Sequence, residues 1–166
     1  SGEAAIAAMR EIMTKLKLTV NEAKTQLRTL PDESVDFLGY TIGRCYSPRT
    51  GRAYIGTRPS RKVVQRVCRE ISDMTCRRWL LLDAQSRVAR INRLLLGWSN
   101  YFCLGPVSKA YGSVDRHTRR RLRQWLRAKH KVQGEGTARF PDEYLHQELG
   151  LIRLRERTRS FPWATA

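Results

Sequence analysis

The sequence predicts an α+β chain, in which a small unit of one helix and antiparallel strands leads into a basic, mainly α-helical bundle. Three observations predict it: a change of periodicity near residue 57, apolar stripes at helical spacing beyond it, and positive charge gathered in the middle. The 166 residues carry 32 Lys/Arg against 15 Asp/Glu, a formal charge of +17. Residues 1–56 hold an excess of +2, residues 57–131 of +15, and residues 132–166 of 0. So uneven a distribution describes a surface for a polyanion, with nucleic acid ahead of a membrane. No apolar run approaches the roughly 20 residues needed to span a bilayer. The start, Ser1-Gly2-Glu3, lacks the basic and apolar regions of a secretory signal. Three units are expected: 1–56, 57–131, and an extension 132–166 packed on the second.

Each element has its own signal. Ala5, Met9, Ile12, Met13 and Leu16 recur at three and four, so Glu3 to Leu16 is expected to form an amphipathic helix. Thr25 to Leu30 and Val35 to Ile42 are short, β-rich and separated by Pro31-Asp32-Glu33-Ser34, and are read as two strands. Pro48 and Gly51 frame a turn, pairing Arg44 to Ser47 with Ala53 to Thr57. Beyond it Ser60 is placed to cap a helix whose apolar stripe is Val64, Val67, Ile71 and Met74. Asp83 is an N-cap for a helix through Tyr101, with Val88, Ile91, Leu95, Trp98 and Phe102 inward. A third helix, Val114 to Lys131, turns Val114, Thr118, Leu122, Trp125 and Leu126 to the core. Pro141 is expected to start a short helix that Gly150 ends, and the tail to be extended, anchored by Phe161 and Trp163.

The charged faces of these helices supply the candidate binding residues. Lys62, Arg66 and Arg69 lie off the first stripe, with Arg58 and Arg61 just before them. Arg90, Arg93, Gly97 and Asn100 lie opposite the second, with Tyr101 or Tyr111 available for stacking on an unpaired base. Arg116, Arg120, Arg123, Arg127 and Lys131 recur at four, three, four and four, a basic ridge about 20 Å long at 1.5 Å per residue. Gly97 is unusual, because a glycine inside a helix costs roughly 1 kcal/mol relative to alanine. It either admits a phosphate or backbone close to the helix or lets another helix pack tightly.

Catalytic patterns of the common hydrolase, metalloprotease and nucleotide-cradling kinds are absent from the sequence. Asp32/Glu33 and Asp142/Glu143 follow prolines and are read as caps, and His117, His130 and His146 have no evident partners. Cys45, Cys68, Cys76 and Cys103 show no C-x-x-C pair, so neither zinc nor disulfides are expected, and reduced thiols fit a cytoplasm-like compartment.

"KLKLTVNEAKTQL", "VDFLGYTIG", "TRPSRKVVQRVCREI" and "LLLGWSNYF", in this order and spacing, resemble the carboxy-terminal part of a group II intron-encoded reverse transcriptase. The resemblance implies the end of the palm over the first unit and the maturase-specific (X, or thumb) domain over the second. It implies that Lys24 assists pyrophosphate departure in the full polymerase and that Phe37, Leu38, Gly39 and Tyr40 form the primer-grip strand. It further implies that Arg61 to Phe102 contact intron RNA and, in complete enzymes, the template-primer duplex. The family's Tyr-x-Asp-Asp lies upstream of the matching region and is not in this sequence. No catalysis is therefore expected from the chain alone, no cofactor or metal is assigned to it, and Mg2+ belongs only to the full-length polymerase. Lys17 stands where the family has glycine, which puts the edge of the palm in question.

The leading expectation is an RNA-binding module that assists splicing, associated with nucleic acid in a bacterial cytoplasm and with no membrane partner. One alternative is the terminal piece of an active RNA-directed DNA polymerase that needs its upstream palm and fingers. The other is a basic helical DNA-binding protein.

Overall fold

A computed structural model describes residues 2–21, 25, 28–30, 32–47, 49–134 and 136–158. It contains α1 (Gly2–Lys15), then β1 (Val35–Phe37), β2 (Tyr40–Tyr46) and β3 (Ala53–Pro59), then α2 (Arg61–Met74), α3 (Ala84–Tyr101), α4 (Ser108–His130) and α5 (Leu154–Arg157). A 3-10 turn, Arg77–Trp79, joins α2 to α3, and a π-helical turn, Tyr144–Glu148, follows α4. The class is α+β, as the sequence predicts.

The strands form one antiparallel meander, β1-β2-β3, with Phe37 opposite Tyr40 and Tyr46 opposite Ala53. The second pairing is the expected hairpin. The first corrects the reading of Val35 to Ile42 as a single strand, because the chain reverses at Leu38 and Gly39, whose φ values are 49° and 83°. Two consecutive positive φ values make the two-residue hairpin turn that matches strand twist, and no extended strand passes through them. The described residues of Thr25 to Leu30 form no strand either. Glu33 instead closes a local turn, accepting from Thr29 N at 2.9 Å and from Arg28 at 2.9 Å.

The core lies among α2, α3 and α4, where Ile71, Ile91, Leu95, Tyr111, Leu122, Trp125 and Leu126 are at most 1% exposed. All but Tyr111 belong to the stripes anticipated from helical spacing. Burial of this kind contributes about 1.5–3 kcal/mol for each large side chain. Helix α4 starts at Ser108, not Val114, and passes through Gly112. The glycine is tolerated because Arg155 packs over it: a Cβ there would stand 2.6 Å from the Arg155 Nε. Asp83 caps α3 as expected, accepting from Ser86 N at 2.8 Å. Ser60 occupies the cap position of α2 without a side-chain cap bond, while its own N–H donates to Gly39 O at 2.8 Å.

In the C-terminal segment Leu154–Arg157 is helical rather than extended, and Leu151 and Leu154 anchor the segment in the core. Phe161 and Trp163 lie outside the described residues. Asp115 holds the segment by accepting from Leu154 N and Arg155 N at 3.0 and 3.2 Å. Asn92 holds it from the other side, donating to Gly150 O and accepting from Ile152 N.

Helix α1 buries none of its residues, and Ile12 and Leu16 are 57% and 63% exposed. Its end explains the Lys17 departure. Leu18 N donates to Met13 O and Lys17 N to Thr14 O, the paired bonds of a Schellman stop, with Lys17 at φ 54° in the position that favours glycine. The backbone thus keeps a glycine-type stop while carrying a lysine. Lys17→Gly is expected to stabilise this helix end by about 1 kcal/mol, read as slower amide exchange at Leu16 to Leu18 with the core unchanged.

Candidate nucleic-acid interface

Two grooves gather part of the set of residues singled out from the sequence. The first lies under the β1-β2 turn, where α2 begins and α3 ends. Gly39 is required there twice over, by its φ and because a Cβ would sit 2.9 Å from the Phe102 ring. Tyr40 seats the hairpin: its ring lies 5.3 Å from that of Phe102, and its hydroxyl donates to Tyr101 O at 2.6 Å. Tyr101 returns a bond from its own hydroxyl to Leu38 O at 3.3 Å. The result is a groove of about 450 Å³ with Lys62, Arg66 and Tyr101 along it and Asp36 on its margin. Leu38 and Tyr101 are exposed beside those cations. This arrangement offers positive charge and aromatic surface together, the combination that holds a phosphate chain with its bases stacked.

The expected primer-grip strand is therefore a hairpin tip. Phe37 ends one strand, Leu38 and Gly39 make the turn, and Tyr40 begins the next. Lys24 lies outside the described residues. A second loop makes a close approach that the sequence did not announce: at Gly105, φ 73°, a Cβ would be 1.9 Å from Thr57 O.

The second groove, about 530 Å³, runs between α4 and the segment 137–143 and is lined by Arg116, Arg119, Arg120 and Arg123. Here the expected continuous ridge is corrected. Arg123 and Arg119 both donate to the Asp142 carboxylate, and Arg123 also donates to Phe140 O at 2.7 Å. Arg127 lies against Gly136 and, with Lys131, faces a separate cleft at the end of α2. The ridge is broken because the chain folds back over its middle. Asp142 is accordingly an ion-pair partner rather than a cap. Partial burial works to raise its carboxyl, but the Arg123 hydrogen bond and the charges of Arg119 and Arg123 outweigh it and hold the group below the ordinary carboxylate range.

Other candidates divide between free and engaged. Arg61, Arg69, Arg90 and Arg93 are exposed outside these two grooves. Arg58 reaches across β2 to Arg44 O at 3.5 Å, and Asn100 accepts from Arg157 at 2.7 Å. Gly97 is exposed, and a Cβ there would meet nothing within 4 Å, so no helix packs against it among the described residues. Tyr111 is fully buried, donating to Ser99 O and Phe102 O, with its phenol pushed up by burial. It is a core residue and no stacking platform.

Sequence reasoning missed the cations that hold the bundle shut. Arg121 donates to Ser72 O, Thr75 O and Thr75 Oγ1, satisfying the carbonyl end of α2. Lys129 donates to Leu80 O and Leu82 O at 2.9 Å. Arg87 is 2% exposed and stacks 4.9 Å from the Trp79 ring centroid, its charge disfavoured by burial. Carbonyl acceptors carry no one-letter code, so nothing in the sequence marks these partners.

The histidines also find partners. His146 Nδ1 donates to Leu151 O at 2.6 Å. The Ser72 hydroxyl lies 2.9 Å from Cys68 O and 3.0 Å from His117 Nε2, so it bridges the two. All four cysteines are free. Among the described residues no group of three His, Cys, Asp or Glu side chains could hold a metal, and no helix is long and apolar enough to cross a membrane.

A helical bundle with a docked hairpin and two basic grooves defines a module suited to polyanion contact. Residues 64–144 match the family model of the group II intron, maturase-specific domain. That match supports the placement of these residues in the carboxy-terminal part of a group II intron maturase. No curated protein matches the chain.

Asp142 generates a pH prediction. Its folded pKa is depressed, so its contribution is present above the unfolded value, 3.8, and is lost as pH falls through the lower folded value. Asp142→Asn is expected to cost about 1–2 kcal/mol at neutral pH, between exposed and buried pairs, and to flatten the fall of stability below about pH 4. Denaturant titrations from pH 2 to 7 check both.

Proposed function

We propose that the module binds group II intron RNA through the hairpin-tip groove and the exposed face of α4 and thereby assists splicing, with the ribozyme performing the chemistry. One observation carries this reading. Of the 19 Lys/Arg between residues 57 and 131, only Arg119 and Arg123 have a carboxylate partner among the described residues. Uncompensated charge at this density destabilises a fold by self-repulsion, and a polyanion relieves it. Phosphates of a folded RNA supply the countercharge, and Tyr101 offers a face to an unpaired base.

The combined variant Lys62→Gln, Arg66→Gln, Arg116→Gln, Arg120→Gln removes four exposed cations. It is expected to keep the fold and to lower the magnitude of the logarithmic salt slope for intron RNA by about 3. Binding titrations at several salt concentrations measure this, and an unchanged slope would remove the basis of the proposal. Gly97→Ala separates structure from contact. It should gain up to about 1 kcal/mol in stability; weaker RNA binding in the same variant would mean that the glycine serves close approach of a phosphate, as proposed here.

A second reading, the terminal part of an active RNA-directed DNA polymerase, is favoured by the unpartnered apolar surface of the first unit. Ile12, Leu16, Phe37 and Leu38 are 57–66% exposed, as expected of groups that another segment covers. Adding an upstream palm in trans and measuring primer extension tests it.

A further inference from the structure

A cleft of about 710 Å³ lies between the end of α2, the Arg77–Trp79 turn and the last turns of α4. Its volume falls within the roughly 300–1,000 Å³ range of small-ligand sites. Arg77, Arg121, Arg127 and Lys131 line it, with no carboxylate among the described lining residues. Two helices end here, and their carbonyl ends oppose an anion. That opposition is already met, since Arg121 takes up Ser72 O and Thr75 O, and Lys129 takes up Leu80 O and Leu82 O. Arg77, Arg127 and Lys131 have no carboxylate partner among the described residues. A second observation is independent of charge. Trp125, 1% exposed, forms part of the wall, and its Nε1–H has no acceptor among the described residues, nor has the buried Nε–H of Arg127. Buried donors are nearly always paired, and these two unpaired ones belong to residues that line one cleft.

We propose that this cleft holds one unpaired nucleotide of an RNA strand, its phosphodiester at Arg77 and Lys131 and its base against the apolar wall of Trp125 and neighbouring Val132. The proposal rests on the RNA-binding reading above. A free phosphate has no use for the apolar wall, and a duplex lies across the mouth without entering. The cleft is also separate from the hairpin-tip groove. The grooves sit at opposite ends of α2, whose 14 residues span about 21 Å. One RNA strand bound at both would be held at two points along the bundle.

The test follows the indole N–H resonance of Trp125 in the full chain, assigned through its own backbone connectivities. An unpaired RNA tetranucleotide is expected to shift it. Inorganic phosphate at equal phosphate concentration and a short RNA duplex should leave it in place. The combined Arg77→Gln, Lys131→Gln variant, both sites exposed, should abolish the shift with the fold intact, whereas Lys62→Gln, Arg66→Gln should retain it. A silent resonance with the tetranucleotide, an equal shift from phosphate or duplex, or a shift that survives Arg77→Gln, Lys131→Gln would each overturn the proposal. Binding of the wild-type chain to intron RNA is read separately. Intact intron binding with a silent Trp125 defeats the cleft alone; a responsive Trp125 without intron binding defeats the intron reading and leaves the cleft.

Discussion

The bundle depends on α4 burying one face while carrying positive charge on nearly every other. Val114, Leu122, Trp125 and Leu126 are buried to within 1%, and they sit between arginines that repel one another. A helix so charged does not pack on apolar burial alone, because the cations nearest the core lose water as the surfaces close. Four of them are met by specific acceptors. Arg121 ends on the carbonyls of α2, Lys129 on those of the 80–82 turn, and Arg119 and Arg123 on Asp142. These cations close the bundle, so they are not available to a ligand.

That division changes how the charge total is understood. A stripe of cations on one helix can be a solvated face, a set of structural clamps or a binding ridge, and in α4 it is partly all three. Arg116 and Arg120 are exposed, Arg123 is clamped, and Arg127 with Lys131 turns toward the cleft at the end of α2. The positive surface is therefore articulated into grooves instead of forming one flat wall. Such articulation suits a folded RNA, whose strands and unpaired nucleotides present phosphates at several angles, better than a straight duplex.

The hairpin tip shows how the first unit contributes. Tyr40 and Tyr101 exchange hydroxyl bonds with each other's neighbouring backbone, and Gly39 lets the turn lie against Phe102. Leu38 is thereby held outward beside Lys62 and Arg66. A rigid, partly apolar tip next to a cationic helix is placed to meet a base and a phosphate at once. The same unit keeps the exposed face of α1, which the described residues do not cover.

The sequence by itself determined what is local. Apolar spacing located the three core helices and their inward residues, Asp83 announced its cap, and the charge count located the basic segment. Those features depend on residues within a turn or two of each other, so a linear reading captures them. Tertiary structure alone decided which cations are free, because their partners lie far off in the chain: Asp142 stands 19 residues from Arg123, and Thr75 stands 46 from Arg121. It also decided where helix α4 begins, since the Arg155 guanidinium fills the space a side chain at Gly112 would need. Likewise it made Leu38-Gly39 a turn, in residues whose β-propensity reads as strand, because the chain had to reverse there to seat Tyr40 against Phe102.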